Sequence, residues 1–372
     1  MTRRLCFVTT YPPDLAHLGG GGWVDRRLIA ALRAAGADVT VFAVTGAGSG
    51  GTTDAAGDVP LEVRGDRRAL ARVVATMLTS TQPYLSAKFT AFPGWDEAAA
   101  ALRAHAADRQ VVTSQWPPLL LASAAGVDVA VHIAHNVDSV IAARHAPLPL
   151  RVLGERRRLV HLERSLLRGP RAVLALSRLD VDRLGEWGVR AVQLPMPLSP
   201  ARGVDEPGPL RVGFIGKASW PPNAEALDVL LGPVHDSLSA QASPAVYVIG
   251  GSGTDEFADH PRVVQSGHVA DLDDFYGRVD VAVVPRPGES TGISVKMLEA
   301  AEYGVPVIVP ASLADAVDPD GPWLVADSPA EVAEAIARCS EADAAATRDW
   351  VSGRPDDAAA EVIFTALDRA GA

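Results

Sequence analysis

Leu5-Cys6-Phe7-Val8, then Gly19-Gly20-Gly21-Gly22, then the amphipathic run from Trp23 to Ala35 closed by Gly36, then Asp38-Val39-Thr40-Val41-Phe42-Ala43-Val44: this stretch decides the fold. An apolar run of strand length, a glycine loop, a helix with apolar residues at three- and four-residue spacing and a second apolar run make a βαβ unit. That unit implies a parallel sheet with helices on its faces. Further strand-length runs follow at Val111-Val112-Thr113, Val127 to His132 and Ala172 to Leu176, with helical patterns at Glu97 to His105, Val152 to Leu167 and Arg178 to Trp187. The first half thus reads as one doubly wound α/β domain over residues 1–194.

The segment 195–209 holds Pro195, Pro197, Pro200, Gly203, Pro207, Gly208 and Pro209, too many breakers for a regular element, and reads as a linker. A second α/β series spans 210–350: strand runs at Arg211 to Ile215, Ala245 to Ile249, Val279 to Val284 and Val305 to Val309, with helices such as Asn223 to Leu231 and Gly292 to Tyr303. A last helix occupies 351–372, with the option of packing back on the first domain. Two Rossmann-like halves are expected to face an interdomain cleft, where strand ends and helix starts meet.

Composition narrows what such a cleft can serve. The 372 residues carry 34 Lys and Arg against 45 Asp and Glu, a net charge of −11, which disfavours nucleic acid and anionic lipid as partners of the molecule as a whole and leaves room for a local basic site. Two cysteines, Cys6 and Cys339, form neither a disulfide framework nor a cysteine-rich metal site. No apolar run reaches the length of a signal peptide or a transmembrane segment, so the expectation is a cytoplasmic enzyme. Nearly all cations are Arg; Lys occurs only at 88, 217 and 296.

Pro285-Arg286-Pro287-Gly288-Glu289-Ser290-Thr291-Gly292-Ile293-Ser294-Val295-Lys296-Met297-Leu298-Glu299 reads as a strand end, a loop and a new helix. With Ser290 or Thr291 as cap, the N–H groups of Gly292, Ile293 and Ser294 would aim at an anion, phosphate above all. Lys296 would neutralise it, and Glu299 would reach hydroxyls further along the same face. The other reading is a capped surface helix with a Lys296–Glu299 pair at i, i+3.

The segment resembles the donor-binding motif of the family 4 glycosyltransferases (glycosyl transferases group 1), retaining enzymes of GT-B architecture. Their pattern is Glu, seven residues, Glu; Glu299 matches the second, and Thr291 stands in place of the first, with Glu289 two positions earlier. The resemblance covers nearly the whole chain. It implies that Glu299 holds the donor ribose and that Gly292, Ile293, Ser294 and Lys296 hold the diphosphate. Gly216 and Lys217, after the first strand of the second domain, fall on the family's first basic diphosphate contact; its second basic contact is missing. Gly250 and Gly251, and His268 and Val269 after Gly267, match turns that line the donor pocket. In the first domain His135, followed by Asn136, resembles the family's histidine near the donor sugar, whereas His132 fits a structural role. Gly20, Gly21 and Gly22 match a glycine-rich loop that approaches phosphates and acceptor. Each of these also has a plain reading as a turn, a solvated lysine or a core histidine.

The implied activity is metal-independent, retaining transfer of a sugar from a nucleotide sugar to a small-molecule, glycan or lipid-linked acceptor, with His135 and Lys296 as catalytic residues and no cofactor. A nucleotide-sugar epimerase of GT-B type and a noncatalytic sugar- or nucleotide-binding subunit are the alternatives.

Four other signals are weaker. Gly46, Gly48 and Gly51 spell a dinucleotide fingerprint with no helix behind it. Asp271-Leu272-Asp273 and Asp180-Val181-Asp182 spell a metal-binding D-x-D, yet sit where Asp caps or solvates a helix. Arg151, Arg156, Arg157, Arg158, Arg164 and Arg168 read as the charged outer face of an amphipathic helix, or as an attractor for a phosphorylated or membrane-linked acceptor. Tyr84, Phe89, Phe92 and Trp95 read as core, or as an acceptor pocket near Gln115-Trp116.

Overall fold

Leu5–Val8 is buried on all sides because it lies near the middle of a sheet, which is why it carries no polar alternation. The computed structural model describes residues 2–13, 19–46, 54–57, 59, 66–201, 209–355 and 357–371. They form two compact units. The first is residues 1–197, 291–293 and 357–372; the second is 198–290 and 294–356. Gly48, Gly51 and the linker segment 202–208 lie outside the described residues.

In the first unit the order is β1 (Arg4–Thr9), α1 (Gly19–Ala34), β2 (Asp38–Ala43), β3 (Ala55–Ala56), α2 (Arg67–Thr79), α3 (Tyr84–Thr90), α4 (Gly94–His105) and β4 (Gln110–Ser114). There follow α5 (Trp116–Ala125), β5 (Val129–Ala134), α6 (Asp138–His145), α7 (Leu148–Val152), α8 (Glu155–Leu166), β6 (Ala172–Ala175), α9 (Arg178–Glu186) and β7 (Ala191–Gln193). The sheet order is β3-β2-β1-β4-β5-β6-β7, every pairing parallel. The C-terminal helix Ala358–Gly371 packs on α1, β5 and β6.

The second unit runs β8 (Arg211–Ile215), α10 (Pro221–Val229), a π-helical turn at Leu230–Val234, α11 (His235–Ala240), β9 (Val246–Gly250), β10 (Val263–Gln265), α12 (Leu272–Tyr276) and β11 (Val281–Val283). It closes with α13 (Val295–Glu302), β12 (Val307–Val309), α14 (Ala311–Val317), β13 (Leu324–Val325), α15 (Pro329–Arg338) and α16 (Glu341–Ser352). Its sheet, β10-β9-β8-β11-β12-β13, is again wholly parallel. In each sheet the winding direction reverses beside the first strand, between β1 and β4 and between β8 and β11. Such reversals open a crevice at the strand C-termini.

Three elements depart from the sequence reading. Gly19–Gly22 is the first turn of α1 and not a loop, since the N–H groups of a first turn need no intrahelical partner and glycine costs least there. Gly154, in the left-handed region at φ +75°, splits the helix expected over 152–167 into α7 and α8. The helix expected from Gly292 starts at Val295, with Ser294 as N-cap, because Thr291 and Gly292 are bound elsewhere. Phe89, Phe92 and Trp95 are buried, and Phe89 meets Trp116 edge-on at 5.4 Å, so the aromatic segment is core.

Candidate functional site

The candidate side chains collect at both sheet reversals. In the second unit β8 delivers Gly216, whose N–H donates to the Gly250 carbonyl at the end of β9 (2.8 Å). A Cβ at Gly216 would lie 2.5 Å from Asn223 Nδ2 and 3.1 Å from Lys296 Nζ, and one at Gly251 would collide with the Gly216 carbonyl. Only glycine allows the three segments to approach so closely.

Lys296, in the first turn of α13, donates through Nζ to Asn223 Oδ1 (2.5 Å), and Asn223 Nδ2 donates to the Lys217 carbonyl (2.9 Å). The Nζ also sits 4.9 Å from the Phe214 ring centroid. Burial, and the positive charge of Arg286, push the Lys296 ammonium down to about 7 against an opposing pull from Glu299. Burial likewise lowers Arg286 to about 10, opposed by Glu225, and its guanidinium lies 5.2 Å from the Trp220 ring centroid. Arg286 Nε and Ser294 Oγ are buried without hydrogen-bond partners. Two cations, an idle hydroxyl and a helix N-terminus together suit an anion. Lys296 is thus turned toward Asn223 and Gly216, unlike a surface pairing with Glu299. Lys217 itself is exposed.

One turn on, half-buried Glu299 accepts from the Tyr276 hydroxyl (3.5 Å), which also donates to the Lys296 carbonyl (3.3 Å). Tyr276 stacks on Tyr303 at 4.8 Å, and its hydroxyl is held well above the ordinary tyrosine value by burial and by the charge of Glu299. The two Gly-rich turns are one structure: Gly251 N donates to the Gly267 carbonyl (2.8 Å), and buried Thr254 Oγ1 donates to the Gly251 carbonyl (2.8 Å) while accepting from Gly267 N (2.9 Å). Val269 occupies the space beside Gly250 that a side chain would need, and His268 is exposed.

In the first unit a buried relay lies at the β1/β4 reversal. Asp25, inside α1, accepts from Thr9 Oγ1 (2.5 Å) through Oδ2 and from Ser114 Oγ through Oδ1. Ser114, the last residue of β4, is 2.7 Å from Nε2 of His135, which follows β5 directly; Asp25 Oδ1 is 3.4 Å from the same nitrogen. His132 bonds Thr113 within the sheet (2.9 Å) and is driven down to about 3 by burial and by the neighbouring His135, so it stays neutral. Gln115, at φ +69°, accepts from Thr10 Oγ1 (3.1 Å), and its amide fills the space beside Gly21. Gly20 and Gly22 lie beside Gly21 in the first turn of α1, Gly22 buried.

The expected cap and anion roles of residues 290–292 are corrected. Ser290 Oγ lies 3.3 Å from Ser312 Oγ. Thr291 Oγ1 accepts from Val137 N (2.7 Å) and donates to Asp180 Oδ1 (2.8 Å), and Gly292 N donates to Asp180 Oδ2 (2.6 Å). A Cβ at Gly292 would press into Asn136 and the His135 carbonyl. Asp180, which also takes Arg183 (2.6 Å), is buried and raised by that burial, so it is neither a solvated helix residue nor half of a metal pair. Asp271 does cap α12, accepting from Asp273 N (2.9 Å). Among the described residues no group of three or more His, Cys, Asp or Glu could hold a metal ion.

A cavity of about 100 Å³ adjoins His135, lined among others by Trp116, Asn136, Asp138, Glu163 and Trp187. Glu163 accepts from the N–H of Asp138 (2.6 Å) at the start of α6. Burial raises both carboxyls, with the charge of Asp180 adding to the rise at Asp138 and that of Asp138 to the rise at Glu163. Asp25, Ser114, Asn223 and Thr254 escaped sequence reasoning because each lies in an unremarkable run; Arg286 lay in plain view as the cation of the Pro/Gly loop that also holds Glu289.

Comparison with known proteins gives two family matches: "Glycosyl transferase 4-like domain" over residues 19–197 and "Glycosyl transferases group 1" over 209–342. No curated protein matches the chain. Among solved structures, sucrose-phosphate synthase from Thermosynechococcus elongatus is similar at TM-score 0.64 and 16% identity, covering 99% of this chain and 94% of that one. WaaG, a glycosyltransferase involved in lipopolysaccharide biosynthesis, gives 0.64 and 15%, covering 99% and 100%. A UDP-forming α,α-trehalose-phosphate synthase from Burkholderia xenovorans, in complex with glucose-6-phosphate, gives 0.61 and 13%, covering 98% and 100%. At these identities the likeness is one of fold, and that fold is GT-B.

Proposed function

The chain belongs to the group 1 glycosyltransferases, and from that membership we propose that it transfers a sugar from a nucleotide-diphosphate donor to an acceptor hydroxyl with retention of configuration. The observation that carries the reading is the cationic pocket of Lys296 and Arg286, with idle Arg286 Nε and Ser294 Oγ, beside the Gly216–Gly251 contact. Two like charges held this close are at odds with each other until an anion joins them. That the similar trehalose-phosphate synthase is UDP-forming supports a nucleoside diphosphate as the leaving group here.

In this reading the diphosphate lies at the start of α13 against Lys296, Arg286 and Lys217, and Glu299, steadied by Tyr276, takes the ribose hydroxyls. Arg286 serves as the second cation that the family pattern places a few residues after Lys217. As the bond from sugar to phosphate breaks, negative charge grows on the departing phosphate, and these preset cations stabilise it without a metal. The acceptor oxygen attacks from the face the phosphate leaves, and its proton passes to that phosphate. His135, oriented by Ser114 and Asp25, positions the sugar.

The test compares Lys296→Ala with Glu299→Ala, using a panel of nucleoside diphosphates in calorimetry and the matching donors in kinetics. Lys296→Ala is expected to lower kcat as well as donor binding, because its partner charge grows in the transition state. Glu299→Ala is expected to raise donor KM about tenfold with kcat little changed, since ribose does not react. Unchanged binding of every nucleotide by both variants would refute the assignment.

A further inference from the structure

Two apolar strips on the first unit stand exposed among the described residues. Along α2 the inward stripe is Ala69, Val73 and Met77; one position over, Leu70, Val74 and Leu78 repeat the four-residue spacing and are 48%, 48% and 70% exposed. α7 has no buried residue, and Leu148, Val152 and Leu153 stand 71%, 79% and 41% exposed. Single exposed aliphatic residues are ordinary, whereas four leucines and two valines on and beside two neighbouring helices are not.

The strips are tied together by Arg158. Its guanidinium donates to the carbonyls of Met77 (2.8 Å), Ser80 (2.9 Å) and Gln82 (3.0 Å) at the end of α2, and to that of Leu153 (3.1 Å) after α7. Leu78 and Leu153 thus flank one clamp. Around them Arg67, Arg68 and Arg72 on α2, and Arg151, Arg156 and Arg157 on α7 and the first turn of α8, are exposed. The two carboxylates of α8 are turned inward: Glu155 accepts from Tyr84 N (2.9 Å) and Glu163 from Asp138 N (2.6 Å), each at the start of another helix. Among the described residues the charges left outside on this face are the arginines and one carboxylate, Asp66, which caps α2 by accepting from Arg68 N (2.8 Å) and Ala69 N (3.0 Å), on a protein whose net charge is −11.

A polynucleotide would engage the arginines and leave the aliphatic residues in water. An anionic bilayer takes both, the side chains entering the acyl boundary and the guanidinium groups meeting the headgroups. We propose that the face made by α2, α7 and the start of α8 binds an anionic lipid surface peripherally. The reading does not depend on which donor or acceptor the enzyme uses.

The test is co-sedimentation of the full chain with vesicles of phosphatidylcholine alone and of phosphatidylcholine with about one-third phosphatidylglycerol, at low and high salt. Binding is expected only to the anionic vesicles and should weaken with salt. Each arginine near such a surface contributes about a fivefold change in partitioning, so the triple variant Arg151→Ala, Arg156→Ala, Arg157→Ala should bind about a hundredfold more weakly. The double variant Leu78→Glu, Val152→Glu should lose at least tenfold, with thermal melts unchanged. Val192→Glu, an exposed valine on β7, is the control and should bind as the parent does. The proposal is overturned if the chain ignores anionic vesicles, or if the two variants bind like the parent. It is equally overturned if light scattering shows that the face closes a dimer which the same variants dissociate, or if single-stranded RNA competes on equal terms in the arginine and the aliphatic variants alike.

Discussion

Binding of a nucleoside diphosphate should draw a proton onto Lys296. In the free protein this ammonium is held down to about 7, because it lies buried beside Arg286. A diphosphate in contact with it adds negative charge and restores the ordinary, high value. At pH 8 the free side chain is then about nine-tenths deprotonated, so binding should take up close to one proton; at pH 6 it should take up about a tenth of one. Calorimetry in buffers of different ionisation enthalpy reads this number directly. The same linkage makes affinity fall with pH: between pH 7 and pH 9 the dissociation constant should rise about fiftyfold, a little over 2 kcal/mol. Lys296→Met should bind more weakly at pH 7, yet show no proton uptake at pH 8 and a flat affinity profile. Without ligand the sign is set by the unfolded chain, in which the lysine holds its proton up to about 10.5. The unfolded state therefore binds more protons between those values, and the lysine's contribution to stability improves as pH rises through that window. Proton uptake that is absent in the parent, or that survives in Lys296→Met, would refute the reasoning.

His135→Ala should lower kcat at least tenfold while leaving nucleoside diphosphate affinity in calorimetry within about twofold, since its partners Ser114 and Asp25 lie at the sheet reversal of the first unit. Asp180→Ala removes the acceptor of Thr291 Oγ1 and Gly292 N, two buried donors, and should cost about 2–5 kcal/mol; a thermal midpoint unchanged in scanning calorimetry would contradict it. Glu163→Gln should flatten the dependence of stability on pH. In the folded protein the Asp138–Glu163 carboxyls sit above their unfolded values, so the folded chain keeps protons that the unfolded chain has released, and stability falls as pH rises above about 4.5. Parallel melting profiles for parent and Glu163→Gln over about pH 5 to 8 would count against the pair.

The strands were legible because in a parallel sheet each is buried on both faces and shows as an uninterrupted apolar run, as in Val129–Ala134 and Val246–Gly250. Helix starts were harder to read. Four glycines before Trp23 look like a loop by propensity, although a first helical turn makes few demands on propensity. Glu155 and Glu163 sit in an arginine-rich run whose pattern suggests an outer face, yet both reach across to cap other helices, a choice made by tertiary partners 71 and 25 residues away. Lys296 and Glu299 were accessible through spacing and rarity. Asn223 and Asp25 were not, because a polar residue inside a helix announces nothing until its neighbours are known.

Thr291 shows how far that limit reaches. Against the family pattern it reads as a lost carboxylate, one methyl and one hydroxyl where a glutamate would stand. In the fold the carboxylate is already present, supplied by Asp180 from 111 residues away, and its two oxygens take the Thr291 hydroxyl and the Gly292 N–H. A glutamate at 291 would set a second buried carboxylate against the first, and the pair would have to share a proton. It would also lack a hydrogen to give Asp180 when ionised, whereas a hydroxyl donates to Asp180 and accepts from Val137 N at once. The substitution and the buried aspartate are therefore one feature of the chain, and in the proposed reaction the Thr291 hydroxyl is engaged within the first unit. Contact with the sugar then rests on His135 and the groups around it, which makes the Asp25–Ser114–His135 relay the place where the specificity of this transferase would be set.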